Sequence, residues 1–183
     1  MLTLEEQKEL LTDIFGLTAS LMRESERAAV IIAAARLDVD LERLLKHVLH
    51  HHPGGSDSLF DSDRAVGTFS AKIALCHRLG ILDADLEHAL QLVRKIRNDF
   101  AHQLEHESLS SPRQKPRLNE LIRWAQNSNV YKSGIKAINA EGKSHEHIQF
   151  TVCVVCMAAI VKHGLKSLTR VNVGRPLGIE YES

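Results

Sequence analysis

Apolar residues recur along this chain at three- and four-residue spacing, the period of helices that bury one face. A first helix is expected over residues 4 to 19, opened by Thr3-Leu4-Glu5-Glu6, a capping box in which Thr3 accepts from a first-turn amide and Glu6 reaches back. Residues 24 to 50 are nearly all helix formers, and Val30, Ile31, Leu37, Leu41, Leu44, Leu45 and Val48 mark the apolar face of a central buried helix. It ends at His50-His51-His52-Pro53-Gly54-Gly55, since proline and paired glycines cannot continue a helix cheaply. Thr68 and Asp83 are placed to cap two further helices, one ending at Gly80 and one running to about His106. Residues 108 to 116, with two prolines and three serines, read as a loop before a short segment, 118 to 126. A polar stretch, 127 to 144, precedes the last long element, 145 to 170. Its Phe150-Thr151-Val152-Cys153-Val154-Val155-Cys156 run would suit a strand, but the element is too long for one and a helix is expected. Beyond about residue 171, two glycines and a proline predict an irregular tail. The sum is an all-α, single-domain bundle of five to six helices over residues 1–183.

Composition narrows the class. A chain of 183 residues, 44% hydrophobic and 25% charged, can bury a full core without staples. Runs of about 18 apolar residues, the length of a membrane span, are not evident. Glu5, Glu6, Glu9 and Asp13 interrupt the region where a signal peptide would be apolar, so a cytoplasmic location is expected. Three cysteines, an odd number, argue against a disulfide scaffold. The 23 basic residues balance 23 acidic ones, so any nucleic-acid contact must be local rather than driven by a global field. Eleven histidines are the compositional oddity.

The helix from Asp83 to about His106 carries the most chemistry. Leu86, Leu90, Val93, Phe100 and Leu104 form a seam at alternating four- and three-residue steps, and Arg97 occupies the position between Val93 and Phe100 in that rhythm. A guanidinium buried there would need a partner: an acid, carbonyls, a subunit interface or a bound anion. Arg94, Asn98 and His102 step i, i+4, i+8 along the edge of the same seam. Arg97 and His102 lie about 140° apart on an ideal helix, so they converge only if the helix unwinds or two copies face each other.

Arg97-Asn98-Asp99-Phe100-Ala101-His102 resembles the Arg-x4-6-His motif, with asparagine after the arginine, of the HEPN superfamily of all-α proteins. Together with Gly67-Thr68-Phe69-Ser70-Ala71-Lys72-Ile73 and Leu79-Gly80-Ile81-Leu82, it resembles the mannitol operon repressor (MltR-like) family, over roughly residues 41 to 106. The MltR-like resemblance implies a transcriptional regulator or repressor acting as a dimer, through protein partners at least as readily as through direct DNA contact. The HEPN resemblance implies, as the alternative, a metal-independent endoribonuclease of toxin or defence type. His102 would then move the proton, Arg97 would hold the scissile phosphate, Asn98 would orient the histidine, and Arg94 would add phosphate affinity. A second alternative is a non-catalytic interaction module.

The remaining candidates are weaker. Lys162, Lys166 and Arg170 form an i, i+4, i+8 basic stripe that suits RNA or an acidic partner, or simply a solvated helix end. His102 and His106 share a face, but no metal site is expected, since no glutamate completes a His-Glu-x-x-His pattern. Cys153-x-x-Cys156 lacks a second pair and reads as buried hydrophobes, and His145 and His147 read as polar residues entering the last helix. The expected partners are therefore a second copy, and RNA or a protein such as an antitoxin or a transcription component; no cofactor and no membrane are expected.

Overall fold

The computed structural model describes residues 3–52, 54, 57–102, 107–138 and 142–174. Among these the protein is all-helical, with seven α-helices: α1 (Leu4–Arg23), α2 (Glu26–Val48), α3 (Phe69–Arg78), α4 (Ala84–His102), α5 (Lys115–Ala125), α6 (Asn129–Ala137) and α7 (His145–Ser167). A single 3-10 turn, Ser58–Phe60, lies in the connection between α2 and α3.

The predicted caps form. Thr3 and Glu6 make the capping box of α1, Thr68 accepts from the Ala71 amide, and Asp83 accepts from the Leu86 amide at 2.8 Å. The expected polar stretch 127 to 144 contains a helix that raises the count to seven. Ser128 caps α6, which lays Tyr131 into the core.

The centre of the bundle is α7 as much as α2. Every residue of α7 from 150 to 159 is buried, because α1, α2, α5 and α6 all pack on it. The β-branched run is helical here, and its lack of a polar face reflects enclosure on all sides. The same helix is long and apolar enough to cross a membrane, but 61% of its most apolar window is buried inside the fold. Ion pairs and end contacts set the directions. Lys166 and Lys162 meet Glu6, Glu9 and Asp13, while the His147 ring meets the Leu21 carbonyl, so α1 and α7 are antiparallel. Ser128 lies by Cys156 and Gly134 by Val152, so α6 also runs antiparallel to α7. Thus α1 and α6 lie side by side over α7 in the same direction.

Charged groups inside the bundle are paired. Lys72 is buried on α3 between Asp38 and Glu42 of α2, at 2.9 Å from each. Asp40, also buried, takes Arg36 at 2.7 Å. Burial pushes the Asp40 carboxyl above its ordinary value despite that arginine. All three cysteines are free and buried, and burial alone pushes the Cys76 thiol up to about 12.

Candidate functional site

The edge of α4 differs from its expected form. Its buried residues are Leu86, Ala89, Leu90, Leu92, Val93, Ile96 and Phe100. Ile96, not Arg97, continues the seam from Val93 to Phe100, so the expectation of a guanidinium at a core position is corrected. Arg97 lies just beside the apolar stripe, partly exposed, and donates to Asn98 Oδ1 at 3.0 Å. Among the described residues no carboxylate forms an ion pair with it. Arg94 donates to Gln91, and Gln91 to Glu87, a ladder along the same partly exposed edge.

His102 is exposed on the last residue of α4, and the helix is continuous through it. Arg97 and His102 therefore keep the roughly 140° separation of a regular helix and do not converge within one chain. Leu104 and His106, the expected end of the seam and the second histidine, lie outside the described residues. Arg27, in the first turn of α2, donates to the Phe100 carbonyl and so anchors this helix end. Asp99 points to the other side, where Arg117 (2.5 Å), Gln114 (2.9 Å) and Arg113 (2.9 Å) meet it. Burial raises the Asp99 carboxyl, but the Arg117 and Gln114 bonds outweigh it and hold it below the usual value.

The basic stripe is largely occupied from within. Lys162 sits 3.5 Å from Asp13 and 3.8 Å from Glu9, and Lys166 is 3.4 Å from Glu9. Arg170 meets the His51 ring at 2.6 Å. An open cleft of about 710 Å³ between α1 and α2 is lined by this same set of acids, Lys162 and Arg36, whose charges satisfy one another. His147 does not face solvent as expected. It is buried, its Nε2 donates to the Leu21 carbonyl at 3.1 Å, and burial holds the imidazole below its ordinary pKa. Among the described residues no group of three metal-ligating side chains converges.

A second feature was not foreseen. Between α1 and α6 runs an apolar groove of about 660 Å³, floored by Val152 and Val155 of α7. Its walls expose large side chains: Phe15 is 64% exposed, Leu11 51% and Val130 39%. The groove exists because α1 buries only Leu17 and Leu21 fully and leaves a second apolar stripe uncovered. The sequence signal was present in the width of that stripe, but which part the other helices cover is a tertiary outcome.

The chain matches no protein-family model, no curated protein and no solved structure.

Proposed function

We propose that the protein is a regulatory protein of the MltR-like kind that works by docking a protein partner in the α1/α6 groove. The observation that carries this reading is the exposed Leu11, Phe15 and Val130 around one apolar trough. Contiguous exposed apolar surface of this sort marks interaction sites, since leaving it in water is unfavourable. The internal neutralisation of Lys162 and Lys166 weakens direct nucleic-acid binding through that stripe and favours protein contact. The test is complementation of a strain lacking the gene, read by its transcript profile. Wild type and His102→Ala should restore the profile and Phe15→Asp should not. A Phe15→Asp protein that restores it fully would refute the reading, as would a strain whose transcripts never change.

A second reading, the metal-independent endoribonuclease, is favoured by one observation: Arg97 is held by Asn98 and open to solvent rather than sealed against an acid. It requires a two-fold dimer, so that Arg97 of one copy and His102 of the other flank one phosphate. Such an enzyme cleaves RNA in EDTA, leaves 2′,3′-cyclic phosphate ends and loses activity in His102→Ala. A dimer that cuts no class of RNA would rule it out.

A further inference from the structure

The groove calls for an uncharged occupant, because every described residue that lines it is apolar or neutral. A charged side chain seated there would lose its water and find no partner. The chain itself carries a matching helix. Among the described residues, the most exposed large apolar side chains of any helix are Leu4, Phe15 and Leu11, at 69%, 64% and 51%, and all three stand on α1. With Lys8, Thr18 and Met22 they follow alternating four- and three-residue steps, the seam of a helix that pairs with another helix. Leu11 and Phe15 also line the groove, so the protruding side chains and the trough belong to one surface.

A surface that holds both parts is complementary to a copy of itself across a two-fold axis. Such an axis, perpendicular to α1 at the level of Asp13, pairs the helix with its copy in antiparallel fashion. It sets Leu11 against Phe15, Leu4 against Met22, and the Lys8 stem against the Thr18 methyl, so no like charges meet in the seam. The flank agrees. Glu5 and Arg23 lie about five turns apart and therefore on one side of α1. Both are exposed, and among the described residues neither forms an ion pair. The antiparallel register brings Glu5 of one copy to within about 3 Å of the level of Arg23 in the other. In plan, α1 and α6 present on the order of 400 Å² per protomer. A dimer through them stands near the lower bound for a specific interface, about 1,000 Å² in total, and is reversible.

Resting on the docking reading above, we infer that the occupant of the groove is α1 of a second copy, and that the protein is an isologous dimer through α1 and α6. Each Phe15 fills the trough of the other copy, above Val152 and Val155, and Glu5 and Arg23 fasten the two ends of the helix pair.

The test is sedimentation of the full chain over a wide range of concentration. Wild type should pass reversibly from monomer to dimer, and Phe15→Asp should raise the dissociation constant at least tenfold. Glu5→Arg and Arg23→Glu, both at exposed positions, should each weaken the dimer, and the two together should restore it. In Leu4→Cys/Met22→Cys the introduced thiols lie about 27 Å apart along one helix, so oxidation should link them only between copies and give a covalent dimer. A wild type that stays monomeric yet binds a helical peptide carrying leucines at i, i+3, i+7 and i+10, with that binding lost in Phe15→Asp, would overturn the second-copy inference and leave the docking reading standing. A dimer indifferent to Phe15→Asp that forms no such crosslink would put the two-fold axis elsewhere and overturn the inference. A monomer that binds no peptide would overturn both.

Discussion

Gly134 of α6 rests directly on Val152 of α7: a Cβ at Gly134 would stand 3.0 Å from Val152 Cγ1 and 3.4 Å from Cγ2. The missing side chain lets α6 settle onto α7, and Val152 forms part of the groove floor. Valine in a helix has essentially one rotamer, so it cannot swing aside. Gly134→Ala should gain roughly 1 kcal/mol of helix propensity and lose more to overpacking, a net cost of about 1 kcal/mol. Gly134→Val should cost about 3 kcal/mol and weaken groove binding. Urea denaturation midpoints at constant slope check both; a stabilised Gly134→Val would show that the two helices are not held at this separation.

His147 predicts a pH dependence near neutrality. Its folded pKa is depressed, chiefly by burial, with Lys143 acting in the same direction against the Leu21 bond. Above the unfolded value, about 6.5, both states are neutral and the contribution is complete. As pH falls through that value the unfolded chain takes a proton that the folded chain refuses, so stability drops by up to about 1.4 kcal/mol per pH unit. His147→Gln should flatten the wild-type slope between pH 7 and 5 while costing about 1 kcal/mol at pH 8. An unchanged slope would assign the pH dependence to other groups.

Glu26 ties three segments together. It accepts from the Ser144 hydroxyl at 2.6 Å, the Ser108 hydroxyl at 3.0 Å and the Leu109 amide at 3.1 Å, joining α2 to the α4–α5 connection and to the start of α7. Burial raises its carboxyl, but these bonds outweigh burial and hold it below the usual value. Its contribution is therefore complete above the unfolded pKa of about 4.3 and is lost as pH falls through the folded one. Glu26→Ala should cost about 2 kcal/mol and speed amide exchange at Leu109 and at the N-terminal turn of α7. Protection unchanged at both sites would refute the tie.

Lys72 should behave asymmetrically with its acids. Lys72→Met removes a buried ammonium and leaves Asp38 and Glu42, each partly exposed, to hydrate, at a cost of about 1–2 kcal/mol. Asp38→Asn with Glu42→Gln leaves the ammonium buried and uncompensated, and should cost about 3–5 kcal/mol. A thermodynamic cycle over these two variants and their combination checks the coupling. Equal costs would indicate that water reaches Lys72.

Much of the bundle was legible because its signals are local. The Thr3, Thr68 and Asp83 caps and the long apolar elements depend on neighbouring residues alone, and they stand in the structure. The α4 seam was misread by one position. Stepping 86, 90, 93, 97 and 86, 90, 93, 96 are both helical, and a broad stripe admits either, so the apolar Ile96 should have decided it. The α6 helix was hidden by its polar surroundings and Gly134, although Ser128 followed by Val130, Tyr131, Ile135 and Ile138 carried a cap and a face. Lys72 stands one turn from Phe69 and Cys76 on a buried face, a readable sign of a buried charge, but its acids come from α2 and are settled by packing. The groove was not legible for the same reason: Leu11 and Phe15 differ from Leu17 and Leu21 only in what covers them.

The docking role is tested most directly by mapping amide chemical shifts as a helical peptide carrying leucines at i, i+3, i+7 and i+10 is titrated into the isotopically labelled protein. Shifts should cluster at Leu11, Phe15, Val130 and Gly134 and leave Arg94, Arg97 and His102 unmoved. Shifts confined to the α4 edge, or none at saturating peptide, would contradict a partner site between α1 and α6.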